Sequence, residues 1–306
     1  MKKIALIVFA FILVLSCDNE PLDPDLTSDG EDAGTENSDL TLSSYQLDTQ
    51  ISLEFFGAPI ETTTNSSFNI TNNAINSGTN AVSINESPSE TENLVITRNS
   101  SNQITSNTSV NTQGTTTNET LITYTNGIIS QISYNYYGED AENYIYNFTY
   151  NGNTITRTNG DTSISTVFTV DSSDRIVKKE SFDGGFSIQT ETIAYTTTGN
   201  ISSSTTTGEI ENNTIYQFDD NTNPLKVVFE DNYLLQFLED DYSDEIGPQI
   251  AQFLSTNNWN GVSFNGTSFN FELDYNTSGR ITSRDIAYNF GEELSFEFNE
   301  RFNYVN

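Results

Sequence analysis

The 306-residue sequence predicts a mainly β protein: a curved antiparallel meander of hairpins with one short helix near its C-terminal third. Three observations carry this. The chain holds 20 Phe and 15 Tyr in a background rich in Asn, Thr and Ser. Those rings and threonines favour strands, and Asn, Ser and Gly favour turns. Apolar residues recur at every second position. A turn flanked by an aromatic or aliphatic residue and an Ile repeats along the chain.

The alternation is clearest in three places. Tyr144, Tyr146, Phe148 and Tyr150 alternate with Ile145, Asn147 and Thr149. Phe269, Phe271, Leu273 and Tyr275 alternate with Asn270, Glu272 and Asp274, and Leu294, Phe296 and Phe298 with Ser295, Glu297 and Asn299. Period two with one greasy and one polar set is the pattern of an antiparallel sheet that buries one face.

The repeated turns are Val170-DSSDR-Ile176, Tyr195-TTTGN-Ile201 and Tyr275-NTSGR-Ile281, with Arg98-NSSNQ-Ile104 at the same spacing. Tyr150-NGNT-Ile155 and Tyr124-TNG-Ile128 are shorter, and Phe218-DDNTNP-Leu225 is one residue longer. The turn residues supply positive φ and side-chain-to-backbone bonds. The flanking apolar residues pin the register, because a one-residue slip would turn the rings into water. These units resemble the YD/RHS repeat, with Tyr275-Asn-Thr-Ser-Gly279-Arg280-Ile281 the nearest copy. The resemblance covers about residues 95–290 and is degenerate. It implies a hairpin meander. Six or seven units are too few for the shell that large RHS proteins build around a toxin.

Residues 51–55 and 68–70 alternate and read as strands, while the polar stretch 76–93 reads as loop. The helix is expected at about 246–256 within SDEIGPQIAQFLST, where Ile246, Ile250, Phe253 and Leu254 form one stripe. Ser243 is a candidate cap, but Pro248 suits only the first turn and moves the start to about 246. Such a helix is expected to cover an exposed sheet face or edge.

The N-terminus reads as an address. Lys2 and Lys3 precede an unbroken apolar run, Ile4 to Leu15. This is too short to span a bilayer and suits a signal-peptide core. Val14-Leu15-Ser16-Cys17 resembles the lipobox of bacterial lipoproteins. That resemblance implies cleavage after residue 16, acylation of Cys17, and a membrane anchor. Residues 17–44 then form an acidic tether, and 45–306 the β domain. Positions 18–40 hold nine acidic residues and no basic one. High charge with few apolar residues predicts disorder, and a flexible coil of this length spans about 30 Å r.m.s.. The start CDNE, followed by Asp- and Pro-rich sequence, is similar to the start of many lipoproteins of the Bacteroidota. There, acidic residues after the cysteine act as a surface-export signal, and Asp18 and Glu20 would carry it here. The expected location is therefore the outer membrane, facing outward.

Composition removes many activities. No histidine is present, so no Ser-His-Asp or Cys-His relay exists. One cysteine excludes intrachain disulfides and cysteine-rich zinc sites. A formal net charge of -32 excludes non-specific nucleic-acid binding. No cofactor and no metal site is expected. Asp25 to Glu36 matches EF-hand loop spacing, but Asp32 occupies an apolar position and such matches arise by chance in an acidic tether. The acidic cluster Glu239, Asp240, Asp241, Asp244 and Glu245 reads as solvated surface. Adjacent Lys178 and Lys179 point to opposite faces of a strand and read as surface charge. Gly184-Gly185 reads as a hairpin turn. Trp259 reads as a core or cap residue, with an exposed sugar-stacking platform as the alternative. The leading functional expectation is a non-enzymatic binding or structural module that contacts a glycan, another envelope protein or a host surface. The alternatives are a glycan hydrolase using paired carboxylates and a carrier of lipid or another apolar ligand.

Overall fold

The computed structural model describes residues 41–55, 58–137, 143–160, 162–230, 242–289 and 294–305. Cys17, Asp18, Glu20 and the 25–36 stretch with EF-hand spacing lie outside the described residues.

The meander opens with β1 (Leu42–Phe55), β2 (Ala58–Thr71), β3 (Ala74–Ile84), β4 (Ser87–Arg98), β5 (Ile104–Asn111) and β6 (Thr116–Thr125). It continues through β7 (Ile128–Tyr136), β8 (Asn143–Asn151), β9 (Thr154–Asn159), β10 (Ile164–Val170), β11 (Ile176–Asp183) and β12 (Phe186–Tyr195). After β13 (Ile201–Gly208) and β14 (Asn212–Thr222) come a short helix α1 (Lys226–Phe229) and a second, α2 (Gly247–Gln249). The latter runs on as π-type turns over Ile250–Leu254. The chain returns as β15 (Asn257–Phe264), β16 (Thr267–Asn270), β17 (Glu272–Tyr275), β18 (Ile281–Asn289) and β19 (Leu294–Tyr304).

Each strand pairs antiparallel with its neighbour in sequence, and β1 also pairs with β19, Tyr45 opposite Phe302. β16 pairs back to β15 and β17 forward to β18, with only Phe271 between them, so the two act as one bent strand. The result is a nearly closed barrel, which leaves few strand edges for another chain to pair with.

The repeated turns explain their own degeneracy. Asn99, Asp171 and Asn276 each accept, through Oδ1, the N–H groups two and four residues on. Thr196 accepts the fourth through its hydroxyl. Any short side chain with an oxygen serves, which is why Asp, Asn and Thr interchange. The residue three after each has positive φ: Asn102 at 65°, Asp174 at 57°, Gly199 at 88° and Gly279 at 74°. Asn, Asp and Gly tolerate that region best, and they interchange there. Asn111, with Gly114 three residues on, builds the same turn at the opposite end of the barrel.

The tyrosines before the turns have a second task. Tyr124 donates to the carbonyl of Ile104, Tyr150 to that of Ile129, Tyr195 to that of Ile176 and Tyr304 to that of Ile281, at 2.7–2.9 Å. Arg98 replaces the phenol in the first unit and donates to Ile75 O at 3.1 Å. The units at Arg98, Tyr124, Tyr150 and Tyr195, and the last strand through Tyr304, are thereby tied to the start of an earlier return strand, whereas Tyr275 donates to Asp219 instead. Tyr195→Phe removes one tie and leaves a carbonyl unpaired, and is expected to lower unfolding free energy by about 1 kcal/mol. Urea denaturation with an unchanged m-value checks this.

Three details differ from the sequence expectations. Residues 76–93 belong to β3 and β4, joined by a tight turn with positive φ at Asn85 and Glu86. Their polarity follows from position: most of 84–93 is exposed, where no apolar alternation is needed. In the Tyr124 unit the two-residue turn Asn126-Gly127 places Tyr124 opposite Ile129, which is buried, while Ile128 is exposed. The Phe218–Leu225 stretch does not turn back. Asn223 accepts from Leu225 N and donates to Gln252 O and Ser255 O, which starts α1 instead.

The barrel has a defined sidedness. Alternate residues point in and form two apolar clusters, one around Ile132, Phe168, Ile201 and Trp259, the other around Tyr45, Phe68, Phe229 and Phe302. The other set points out and is mostly polar: Asn65 and Asn69, Asn147 and Thr149, Thr205 and Thr207 are all exposed. Outward apolar residues are isolated between hydroxyls. Val95 lies between Ser77 and Thr108, Leu121 between Ser106 and Ser133, and Ile215 between Ser203 and Ser263.

Candidate functional site: the barrel interior and its insert

The described parts of the stretch between β14 and β15, residues 223–230 and 242–256, do not lie on the sheet; they enter the barrel. Leu225, Val228 and Phe229 pack with Phe253 and with Tyr45, Phe68 and Phe302 of the wall. Ile246, Ile250 and Ala251 pack in the other cluster, with Tyr216 and Trp259. The helical stripe expected at 246–256 exists, and it fills the interior. The physical reason is closure: a nearly closed barrel has its unsatisfied apolar face inside.

An irregular backbone buried inside a barrel has no ladder to satisfy it, so side chains must do so. Three inward side chains on β11 and β12 supply donors for its carbonyls. Ser181 Oγ donates to Tyr242 O at 2.7 Å, Gln189 Nε2 to Ser243 O at 2.7 Å and Lys179 Nζ to Asp244 O at 2.8 Å. Glu191 accepts from the N–H groups of Ile246 and Gly247 at 2.7 and 2.9 Å. Lys179 and Glu191 face each other across the β11–β12 pair and are 2% and 1% exposed. Reading Lys179 as surface charge is thus corrected: only Lys178 is outside, paired with Glu180 at 2.8 Å. Burial is the main force pushing the Glu191 carboxyl up to about 7, with Glu245 adding to it. The two N–H donors and Lys179 oppose the rise. Gly247 is required by proximity, since a Cβ there would lie 2.3 Å from the Tyr216 hydroxyl and 2.9 Å from Glu191 Oε1.

A second buried constellation sits where the barrel closes. Glu300 on β19 receives Arg284 of β18 through two guanidinium nitrogens, the phenol of Tyr45 on β1, and Gln252 of the insert at 3.0 Å. Arg284 and Glu300 are both 0% exposed. The ion pair is compensated by these further bonds, and Arg284 Nη1 also reaches Trp259 O at 3.4 Å. Burial and the neighbouring carboxylate hold the Tyr45 phenol well above its ordinary value.

Of the acidic cluster, Glu239, Asp240 and Asp241 lie outside the described residues. Asp244 offers its carbonyl to Lys179, and Glu245 accepts from Asn212. Neither is plain solvated surface. Trp259 is 3% exposed, packs edge-on against Phe271 at 4.8 Å, and donates to Gly261 O. It is a core residue, which removes the sugar platform. Gly184-Gly185 is the hairpin turn between β11 and β12. Glu191 and Glu300, the two buried carboxylates among the described residues, were not singled out by sequence. Each shares the inward parity of its strand, Glu191 with Ile193 and Glu300 with Phe298 and Phe302, so period two carried a signal for them, and the insert supplies partners that the sequence did not show.

No family model and no curated protein sequence matches this chain. Among solved structures it is similar to a porin-like protein from Bacteroides uniformis, with 10% identity, TM-score 0.47, and coverage of 86% of this chain and 98% of that one. A porin-like protein from Bacteroides vulgatus aligns over 76% of this chain and 98% of that one at 14% identity and TM-score 0.31. The Photorhabdus luminescens Tc holotoxin pore aligns over 76% of this chain and 14% of that one, at 10% identity and TM-score 0.30.

Proposed function

We propose that this chain is an exported lipoprotein whose water-facing β-barrel works as a non-enzymatic binding or structural module. In this reading Cys17 carries the acyl chains, Asp18 and Glu20 direct surface export, and residues 18–40 space the barrel from the outer membrane. The barrel's hairpins are a degenerate relative of the YD/RHS repeat, and its partner is a glycan or another envelope protein. The observation that carries the proposal is the barrel's sidedness. Most rings and the buried Arg284–Glu300 pair are inside, and the outward set is mostly Asn, Ser and Thr, the reverse of a membrane-spanning barrel's apolar outer band. Membrane attachment then needs another device, and the N-terminal cysteine supplies one: each buried acyl CH₂ contributes about 0.8 kcal/mol. Glu191 and Glu300 are each occupied with structural partners, which supports a non-catalytic role.

Metabolic labelling with a fatty-acid analogue tests the anchor. The wild-type chain should be labelled and sediment with membranes. Cys17→Ala should be unlabelled and remain in the soluble fraction. Sedimentation of the variant with membranes would contradict the proposal, and steady hydrolysis of a polysaccharide by the purified barrel would contradict its non-enzymatic part.

A further inference from the structure

Residues 243–245 span three neighbouring strands. Gln189 of β12 holds Ser243 O through Nε2, and Asn212 of β14 holds the Glu245 carboxylate at 3.0 Å. Between them, on β13, Thr206 lies opposite both Glu191 and Asn212 and diagonal to Gln189. The inward positions beside it offer it nothing: Ser204 is paired with the Tyr216 hydroxyl at 3.0 Å, and Gly208 has no side chain. Thr206 and Gln189 are 2% and 3% exposed, and neither Thr206 Oγ1 nor Gln189 Oε1 meets a hydrogen-bond partner among the described residues. Enclosed oxygens without partners are costly, and in native structures they mark a bound water or ion.

Charge decides which. Residues 180–225 contain no Lys or Arg. Lys179 stands on the far side of Glu191, on β11, and is engaged with Asp244 O. The β13 side thus presents a carboxylate, a carboxamide oxygen and a hydroxyl with no basic side chain of its own. We propose that Gln189 Oε1, Thr206 Oγ1 and Glu245 form a site for one hard cation, which ties the insert to β12–β14. Among the described residues no three Asp, Glu, His or Cys side chains converge, so the set is one carboxylate with neutral oxygens. Oxygen-only ligands suit calcium or sodium, and so low a ligand charge places calcium affinity at about 0.1–1 mM. No local spacing announces the site, because its ligands come from two strands and the insert.

Terbium, an ion of calcium's size whose emission is excited through nearby tyrosine, reads the site in the whole mature chain. Tyr216 lies beside it, whereas residues 18–40 hold no aromatic residue, so terbium on the acidic tether is not excited. Sensitised emission should saturate and be displaced by calcium, and calcium should raise the melting temperature. Glu245→Gln, which keeps an acceptor for Asn212 and removes the charge, should weaken binding by more than about tenfold. Thr206→Val, of the same shape without the hydroxyl, should lose the melting-temperature gain. Sodium chloride against choline chloride at equal ionic strength is the second arm: stabilisation by sodium alone, lost in Glu245→Gln, assigns the site to a monovalent ion. No sensitised emission together with a melting temperature indifferent to both cations overturns the proposal and leaves a bound water beneath Glu245. Binding unchanged in Glu245→Gln, or in a folded Thr206→Val, overturns it equally.

Discussion

Glu300→Ala is expected to destabilise the barrel by about 3–5 kcal/mol, the usual cost of leaving one member of a buried ion pair without its partner. Glu300 is the acceptor for Arg284, Tyr45 and Gln252 at once. Its removal strands a guanidinium that is 0% exposed and cannot shed its proton. It also unties β18, β19, β1 and the insert at the point where the meander closes. The control is the double variant Arg284→Met with Glu300→Leu. Replacing both charges with apolar groups of similar size removes the desolvation penalty along with the attraction, and such exchanges are often neutral. The double variant should recover most of the loss, leaving about 1–2 kcal/mol for the orphaned Tyr45 and Gln252 groups. Urea denaturation of wild type, single and double variants checks the order. A double variant as unstable as the single would show that Glu300 acts through packing rather than charge.

Much of the wall was legible in the residues themselves. The alternation at Tyr144–Tyr150 and Leu294–Phe298 reports which side is buried, because a strand's two faces are separated by period two. The turns at Asp171, Thr196 and Asn276 were legible because they need an oxygen at the first position and positive φ at the fourth. The repeat spacing alone could not tell that Tyr124 faces Ile129 rather than Ile128, since a two-residue turn changes the pairing. Nor could it tell that Asn223 would bond forward into a helix. The interior polar residues were the least legible. Lys179, Gln189 and Glu191 look like surface residues by type, although Gln189 and Glu191 share the inward parity of Ile193; what stayed hidden is the insert from beyond β14 whose bare backbone they satisfy. Such long-range complementarity leaves no local pattern.

The second large effect concerns the outer wall. A spanning barrel would have to immerse the Lys178–Glu180 and Arg301–Asp285 pairs and the rows of Asn, Ser and Thr beside them in hydrocarbon. A basic side chain on the lipid face costs about 2–4 kcal/mol at mid-bilayer, and the unbroken apolar band that would offset it is interrupted at Val95, Leu121 and Ile215 by hydroxyl neighbours. In water the same wall is already solvated. Under the proposed function, all membrane affinity is therefore expected of the N-terminus and none of the barrel.

Residues 41–306, prepared without detergent and mixed with phosphatidylcholine vesicles, test this most directly. The expected result is a monodisperse, strand-rich protein that stays in the supernatant when the vesicles are pelleted. A protein that aggregates until detergent is added, or that acquires its β spectrum only on entering vesicles, would contradict the account.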